Sequence, residues 1–207
     1  MSESPLTAGI WETSPTLDEI LERIFIALEN GASSSKHPFH LATFGTISNS
    51  APNMRTVVLR KFSRTDLSLL FHTHSGSPKI EEVRHNPEVG WLFYDQEKGL
   101  QLRIAGHATI HIGDSVSDER WNLTTRLGKR CYLAEPSGRA TTAATSGLPF
   151  DPRSIPKDLD VEPGRGNFAV IATKITNIDC LELDVRGHRR SNFSFSNDEH
   201  FSSWVTP

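Results

Sequence analysis

A helical pattern of apolar residues lies near the start of the chain, where they recur every three or four positions. Thr16 precedes this pattern, and Glu19 follows three residues later, which is the spacing of a capping box. Asn30-Gly31 is a typical signal for a helix end. We therefore predict a helix from residue 17 to Asn30-Gly31. Its apolar face comprises Leu17, Ile20, Leu21, Ile24 and Leu28.

Beyond this helix, apolar and polar residues alternate in short runs separated by polar turns. Such a two-residue period predicts half-buried strands. Most of the six or seven predicted strands are neighbours in sequence, and they do not alternate regularly with long helices. We therefore expect a mainly β fold, an antiparallel sheet closed as a small barrel with peripheral helices. The predicted strands span residues 40–47, 53–62, 67–73, 88–94, 99–112, 168–184 and 190–196, and helical patterns cover 78–83 and 114–127.

Two segments show neither the helical period nor the two-residue strand period. Residues 1–15 are predicted to be a flexible lead-in, and residues 134–166, rich in Pro, Gly, Ser, Ala and Thr, a long loop. An irregular loop of that length in a compact domain indicates function or mobility. We expect one domain over residues 1–207, with Trp204 docking the tail on the body or on a partner subunit.

The overall composition limits the partners of the chain. A formal net charge of −3 argues against a nucleic-acid partner, which requires a strongly basic surface. No segment approaches the roughly 20 apolar residues that span a bilayer, so no membrane partner is expected. Cys131 and Cys180 lie far apart and form no metal-binding or disulfide motif. Two reduced thiols and an N-terminus unlike a leader peptide predict a cytoplasmic protein.

Basic and hydroxyl residues collect in two consecutive regions, Arg55-Thr-Val-Val-Leu-Arg60 and Leu70-Phe-His-Thr-His-Ser-Gly-Ser-Pro-Lys79. The second region leaves its strand at Thr73, turns through Ser-Gly-Ser and opens a helix with Lys79 in its first turn. A guanidinium, an ammonium, hydroxyls and free backbone amides can then converge on one dianionic phosphate. This grouping predicts a phosphorylated cofactor.

Each part of this grouping also has an ordinary structural interpretation. Arg55 and Arg60 are five residues apart, so on a regular strand they point to opposite faces and cannot both hold one phosphate. Both would then be solvated strand arginines. Ser77 and Lys79 would be a helix cap and a surface lysine.

The histidines leave a further alternative open. His72 and His74 share one face of a predicted strand, and with His107 and His111 they could form a metal or haem site. No acidic third ligand is evident, and a chain with nine histidines produces such pairs by chance. We predict no metal.

Four motifs occur in a fixed order along the chain. They are Arg55-x-Val-x-Leu-Arg60, then Phe71-His-Thr-x-x-Gly-Ser-x-Lys79 with Asn86-Pro87, then Gln101-Leu-Arg-Ile-Ala-Gly-His-Ala108, and finally Gly187-His-Arg-Arg190 with Trp204-x-x-Pro207. In these motifs the chain resembles the pyridoxamine 5′-phosphate oxidase superfamily of FMN-binding split β-barrels. The likeness covers approximately residues 17–130 and 165–207.

This resemblance implies an antiparallel split barrel that binds FMN at a homodimer interface. Arg55 and Lys79 would hold the FMN phosphate with help from Thr73 and Ser77, and His72 would lie beside Thr73 along the flavin. Gln101 would reach the flavin from the partner subunit. The strand residues lining FMN would be Arg55, Thr56, Val57, Val58, Leu59 and Arg60, and the substrate contacts would be Arg126, His188 and Arg189.

The chain departs from the oxidases mainly in the substrate half of the site. Asn122 stands where the oxidases have a tyrosine, Arg165 where they have a flavin-contacting tryptophan, and Pro78 where an arginine is frequent. The function predicted from the sequence is therefore an FMN-binding flavoprotein and oxidoreductase acting on an undefined small molecule. The alternatives are a flavin-binding or flavin-sensing protein without catalysis and a haem-handling split barrel.

Overall fold

The computed structural model describes residues 10, 13–196 and 199–207. Most of the predicted lead-in, namely residues 1–9, 11 and 12, lies outside the described residues. The helices are α1 Leu17–Ser33, α2 Pro78–His85, α3 Ser115–Leu123 and α4 Arg126–Lys129. The strands are β1 Leu41–Ser48, β2 Ala51–Val58, β3 Lys61–Ser63, β4 Ser68–His74, β5 Glu88–Asp95, β6 Leu100–His111, β7 Phe168–Glu182, β8 Arg189–Ser196 and β9 Glu199–Val205.

The strands form one antiparallel sheet in the order β2-β1-β5-β6-β7-β4-β3, with β8 and β9 added beside β7. The two ends of that order, β2 and β3, are consecutive in the chain and are linked by Leu59 and Arg60. The Leu59 N–H donates to the His40 carbonyl, and the Arg60 N–H donates to the Leu70 carbonyl. The sheet must therefore curl until its terminal strands meet, which confirms the predicted antiparallel barrel.

The barrel interior is built from the inward positions of alternating strands and is closed by α1. Phe44, Phe71 and Trp91 contact one another edge-on, with ring centroids 4.8 to 5.5 Å apart. Such aromatic pairs stabilise a core beyond the area they bury. The apolar face of α1 packs against this cluster through Ile24 and Leu28, which are buried. The capping box of Thr16 and Glu19 is present as predicted.

Three boundaries differ from the prediction for identifiable reasons. Helix α1 continues past Asn30-Gly31 to Ser33. Gly31 does not end the helix but lies against Phe39, where a Cβ would be 2.6 Å from the Phe39 carbonyl oxygen. The predicted strand 53–62 is broken where the chain passes from β2 to β3. The predicted helix 114–127 divides into α3 and α4, and the N-cap hydroxyl of α4, Thr125, accepts from the Gly128 N–H.

The sequence pattern missed β9. All seven residues of this strand are exposed, so burial imposes no alternation on them. It pairs with β8, which confirms that the tail carrying Trp204 docks on the body. The predicted loop 134–166 contains no α-helix or strand, but its last residues belong to a 3₁₀ helix, Glu162–Asn167, so the prediction of no regular element is wrong there. Among the described residues, no helix combines the length and apolar character needed to cross a bilayer.

Candidate functional site

Lys79 is the centre of a polar cluster at the start of α2. Its ammonium donates to the Thr73 hydroxyl at 3.1 Å and to the Ser77 hydroxyl at 2.5 Å. Ser77 occupies the N-cap position, but its hydroxyl does not cap the helix and accepts from Lys79 instead. Burial and the nearby charge of Arg55 lower the pKa of Lys79, while Glu82 opposes them. Thr73, Ser77 and Lys79 are thus brought together as the sequence predicted.

Lys79 differs from an ordinary surface lysine in its partners. The ammonium is partly buried, and within the described part of the chain it forms no ion pair with a carboxylate. A buried cation whose only partners are hydroxyls retains capacity for an anion. This excludes the interpretation of Lys79 as a solvated surface residue.

Arg55 lies on β2 opposite Phe44 and therefore points to the inner face of the sheet. Its guanidinium donates to the Thr46 hydroxyl at 2.5 Å and to the Glu82 carboxylate at 2.6 Å. Burial alone would raise the pKa of Glu82, but hydrogen bonds from Thr46, Asn53 and Arg55 outweigh it, and the pKa is lowered. Arg55 is therefore a cation already paired on one side.

The backbone amides of the Ser75–Ser77 turn are not available to an anion, so this part of the prediction is wrong. The Ser75 N–H donates to the Asn167 carbonyl at 2.7 Å. The Gly76 N–H donates to Nδ1 of His74 at 2.9 Å, and the Ser77 N–H to the His74 carbonyl at 3.0 Å. Any anion at this turn is held by side chains.

The start of the long loop packs on the same turn, which the sequence did not indicate. Nε2 of His74 donates to the Ala134 carbonyl at 3.0 Å, and the hydroxyls of Ser77 and Ser137 lie 3.4 Å apart. Gly76 is required by this contact, because a Cβ there would come within 2.7 Å of Pro136. Burial is the main cause that lowers the pKa of His74, which therefore carries its proton on Nε2.

His72 and Thr73 are adjacent on β4, so their side chains point to opposite faces. Phe71, on the face of Thr73, belongs to the main core, whereas Leu70, on the face of His72, belongs to a second apolar cluster with Phe168. The His72 ring lies 4.9 Å from the Phe168 ring. His72 is therefore separated from the Lys79 cluster by the strand itself.

Arg120 on α3 contacts both His72 and the link between β2 and β3, a role that no motif in the sequence indicated. Its Nε donates to Nε2 of His72, and its Nη2 donates to the Arg60 carbonyl, each at 3.3 Å. Burial and the charges of Arg120 and Arg60 lower the pKa of His72 to about 3. His72 is thus neutral at physiological pH, with its proton on Nδ1.

The predicted cofactor strand does not present all its side chains to one side. Arg55 and Val57 face inward on β2, whereas Thr56 and Val58 face outward. Leu59 is fully buried in the core. The premise that Arg55 and Arg60 lie on one regular strand is wrong, because β2 ends at Val58.

Arg189 is engaged inside the protein. It forms a two-pronged ion pair with Glu182, at 2.6 and 2.8 Å, and donates to the carbonyls of Ile10 and Thr13. The Trp204 ring lies 5.7 Å from its guanidinium carbon. Arg189 therefore ties the two ends of the chain to β7.

The other two predicted substrate residues lie on the surface. Arg126 donates to the carbonyls of Lys157 and Leu159 and so fastens the long loop to α4. His188 is exposed in the turn between β7 and β8, where its Nδ1 accepts from the Asp184 N–H at 3.3 Å. The structure does not bring either residue to the Lys79 cluster.

The remaining histidines are dispersed. His107 pairs with Glu88, and His111 pairs with Asp114, each at 2.8 Å. Within residues 10, 13–196 and 199–207, no group of three or more His, Cys, Asp or Glu residues is placed to hold a metal ion.

Comparison with known proteins finds that the segment containing the Lys79 cluster is similar to an FMN-binding domain. Residues 19–112, which include Arg55, Thr73, Ser77 and Lys79, match the FMN-binding domain of pyridoxamine 5′-phosphate oxidase. The chain is a relative of the pyridoxamine 5′-phosphate oxidases. The predicted family and the predicted cofactor, FMN, are confirmed by this match.

Two curated proteins illustrate the relationship. A pyridoxine/pyridoxamine 5′-phosphate oxidase 2 of Arabidopsis thaliana is 27% identical over 168 residues, which cover 77% of this chain and 81% of that enzyme. A dihydrophenazinedicarboxylate synthase of Pseudomonas chlororaphis is 34% identical over 101 residues. That match covers 49% of this chain and 41% of that enzyme, so the chain spans less than half of its length.

A solved structure confirms the fold. A pyridoxamine 5′-phosphate oxidase-related, FMN-binding protein of Nostoc punctiforme superposes with a TM-score of 0.70, covering 100% of both chains at 20% identity. At this identity the likeness shows the architecture, which is the antiparallel split barrel predicted from the sequence.

Proposed function

We propose that the chain is an FMN-dependent oxidoreductase that holds the FMN phosphate with Lys79, Thr73, Ser77 and Arg55. The observation that carries this proposal is the partly buried ammonium of Lys79, which has hydroxyl partners and forms no ion pair with a carboxylate among the described residues. Arg55, Lys79 and Glu82 together carry a net charge of +1, because two cations face one carboxylate. A phosphate monoester dianion complements that charge and the adjacent helix start.

The roles of the chain are binding and orientation. FMN, when bound, supplies two-electron redox chemistry that protein side chains lack. Glu82 holds the Arg55 guanidinium on one side, so its remaining donors keep a fixed direction. The Ser77 and Thr73 hydroxyls hold Lys79 in the same way. Such preorganisation lowers the entropy lost when the phosphate binds.

A homodimer is part of this proposal. The outer face of the β2-β1-β5-β6 region exposes Met54, Leu92 and Tyr94, and Gly45 lies directly opposite Gly90 across β1 and β5. Exposed apolar side chains around small residues favour close contact with another protein surface. A second copy joined by a two-fold axis would cover this face with the same face.

Gln101 supports the same arrangement. It pairs with Tyr94 and points to this outer face, since its neighbour Leu102 is buried inside the barrel. In a homodimer formed through these faces, the partner subunit's Gln101 would approach the FMN site. Substituting Leu92→Asp should shift the sedimenting species to the monomer and weaken FMN binding. An unchanged dimer would show that this face is not the interface.

The proposed substrate is a small molecule, and the proposed location is the cytoplasm. The two curated relatives are named for a dicarboxylate and for phosphate esters, so both kinds of anion are suitable first probes. Cys131 and Cys180 are both free thiols, which suits a reducing compartment.

The test begins with FMN titration of the purified chain, followed by flavin fluorescence. Saturable binding is expected for the wild type and for Arg84→Gln, which removes an exposed arginine of α2. The FMN-loaded protein is then incubated in air with pyridoxine 5′-phosphate or a dihydrophenazine dicarboxylate. Two-electron oxidation of either, with one hydrogen peroxide formed from O₂ per product, supports an oxidase. Saturable binding without turnover of these probes, and without flavin reduction by NADPH or NADH, favours a flavin-binding protein without catalysis.

A further inference from the structure

The hydroxyl groups that hold Lys79 lie below the protein surface. Thr73 is 8% exposed and Ser77 is 3% exposed, and Lys79 itself is partly buried. Protein interiors are close-packed and contain few voids larger than a water molecule. A phosphate that contacts both hydroxyls therefore requires a neighbouring segment to move aside and to close again.

Residues 134–138, which we name the strap, form an irregular segment that lies on this site. The Ser137 hydroxyl lies 3.4 Å from the Ser77 hydroxyl. Pro136 packs against Gly76 so closely that a Cβ at Gly76 would lie 2.7 Å from Cγ of the proline. The strap therefore covers the turn that supplies one of the two hydroxyls.

His74 joins the strap to this turn through both ring nitrogens. Its Nδ1 accepts from the Gly76 N–H at 2.9 Å, and its Nε2 donates to the Ala134 carbonyl at 3.0 Å. A ring that accepts at one nitrogen and donates at the other is neutral. Within the described residues, the strap makes one further polar contact to the turn, between two serine hydroxyls, and its 3.4 Å length lies beyond the usual range for a hydrogen bond. One side chain thus supplies the main polar attachment of the strap.

The chain beyond the strap adds little support to it. Residues 139–146 are all exposed. The Glu135 N–H donates to the Gly147 carbonyl at 2.9 Å, which closes residues 135–147 into a loop of their own. A segment with few buried contacts opens at a small fraction of the free energy that unfolds the whole domain. The strap can therefore leave the turn while the barrel stays folded.

We propose that the strap controls the entry and release of FMN and that His74 is the positioning residue that keeps it closed. This inference rests on the proposed binding of the FMN phosphate by the Lys79 cluster. Opening of the strap then precedes both association and release, as for other segments that close over a binding site. Because the strap is attached in the same way before FMN enters and after FMN leaves, a weaker attachment accelerates both steps and changes their ratio, the dissociation constant, little.

Two substitutions of His74 separate its two hydrogen bonds. His74→Asn keeps an acceptor near the position of Nδ1 for the Gly76 N–H but has no donor that reaches the Ala134 carbonyl. His74→Gln carries an amide donor near the position of Nε2 and has no acceptor at the position of Nδ1. Gly76 is exposed, so water replaces the acceptor that His74→Gln removes. The first variant releases the strap and the second retains it.

FMN exchange is measured by flavin fluorescence, with association followed after mixing and dissociation after dilution of the loaded protein. His74→Asn should accelerate both rates roughly three- to tenfold, as expected for the loss of one hydrogen bond, and change the dissociation constant by less than about twofold. His74→Gln and the surface variant Arg84→Gln should stay within about twofold of the wild-type rates. Unchanged rates in His74→Asn, or an equal acceleration in either control, would overturn the proposal. A weaker affinity at an unchanged association rate would overturn it as well, because His74 would then support the bound phosphate and not the strap.

An independent variant displaces the strap at its other contact. Gly76→Ala introduces the Cβ that would lie 2.7 Å from Pro136, so the strap must shift while His74 is unchanged. Association and release of FMN should both become faster, as in His74→Asn. Unchanged or slower exchange in Gly76→Ala would contradict a strap that opens for FMN.

Limited digestion with trypsin reports the position of the strap without FMN. Arg139 follows the strap directly and is exposed, whereas the Lys157 carbonyl is held by Arg126. Cleavage after Arg139 should be faster in His74→Asn than in the wild type, and cleavage after Lys157 should stay the same. Equal cleavage after Arg139 in the two proteins, or faster cleavage at both sites, would overturn the role of His74, because the strap would then be held by other contacts or the variant would be destabilised as a whole.

The two proposals fail in different ways. If the wild type does not bind FMN, or if Lys79→Met retains full FMN affinity, the proposed phosphate site is wrong and this inference falls with it. If Lys79→Met weakens FMN binding and His74→Asn exchanges FMN at the wild-type rates, only the strap is wrong.

Discussion

Lys79, which is partly buried, and Arg189, which is buried, are both cations that the sequence marked as ligand contacts, yet their surroundings differ. Arg189, with a side chain 8% exposed, faces a Glu182 side chain 15% exposed and satisfies it with two hydrogen bonds. Lys79 has two hydroxyl partners and forms no ion pair within the described part of the chain. A buried cation that already has its carboxylate stabilises the fold, whereas one that lacks it is prepared for an external anion.

Arg55 is intermediate between these two cases. It belongs to the Lys79 cluster in space, but Glu82 already pairs with it. Buried cations alone therefore do not locate a cofactor site; the distribution of the carboxylates around them does. The four predictions below test this contrast.

The largest effect is expected for Arg189→Met, which leaves the Glu182 carboxylate without its main partner. Removing one member of a buried ion pair costs about 3–5 kcal/mol of unfolding free energy. Urea unfolding measures this loss. Replacing both residues, with Arg189→Met and Glu182→Met together, should recover most of it, because an apolar pair substitutes for a buried ion pair. A double variant as unstable as the single one would show that Arg189 acts through other contacts.

Lys79→Met should weaken FMN binding and leave the unfolding free energy intact, which is the reverse of the effect expected for Arg189→Met. FMN affinity should fall by about 1.5–3 kcal/mol, roughly ten- to a hundredfold, because a charge-assisted contact to the phosphate is lost. Without FMN, the unfolding free energy should stay equal or rise, since a partly buried cation near Arg55 is removed. Flavin fluorescence titration and urea unfolding measure the two quantities. A large loss of stability with intact FMN affinity would place Lys79 in the same class as Arg189.

His72 provides a pH-dependent test of the opposite face of β4. Its pKa is lowered to about 3 in the folded protein, so the unfolded chain takes up a proton first as the pH falls below about 6.5. The contribution of His72 to the free energy of unfolding should therefore be fully present above pH 6.5 and be lost progressively between pH 6.5 and 3. Between pH 7.5 and 5.0 the contribution of His72 is about 2 kcal/mol. Urea unfolding at both values should show a smaller difference for His72→Asn than for the wild type. An identical difference in both proteins would contradict the buried neutral state.

The smallest effect is expected for Ser77→Ala. An N-cap serine usually contributes about 1 kcal/mol to helix stability, but the Ser77 hydroxyl makes no capping bond to α2. Stability without FMN should change by less than about 0.5 kcal/mol, whereas FMN affinity should fall by about 0.5–1.5 kcal/mol as a hydrogen bond to Lys79 is lost. Thr16→Ala, which removes a real capping bond of α1, is the matched control and should lower stability only. If Ser77→Ala behaves like Thr16→Ala, the hydroxyl serves the helix and not the cofactor.

The sequence alone predicted α1, most strands, the barrel and the members of the Lys79 cluster. These features depend on residues close together in the chain. The inward and outward alternation of strand residues is visible over six to eight positions, and Thr73, Ser77 and Lys79 belong to one strand-turn-helix segment. Glu82, three residues after Lys79 on α2, was missed, although that spacing places both on neighbouring positions of one helix face.

Only the tertiary structure decided which cations can still bind an external anion and which are already paired with groups of the protein. Arg55 meets Glu82, Arg120 meets His72, and Arg189 meets Ile10 across 27, 48 and 179 residues of chain. Such contacts depend on how the closed sheet brings distant strands and helices together. A local pattern shows which side chains a segment offers, but its counter-ions come from other segments, so charge compensation is a property of the folded chain.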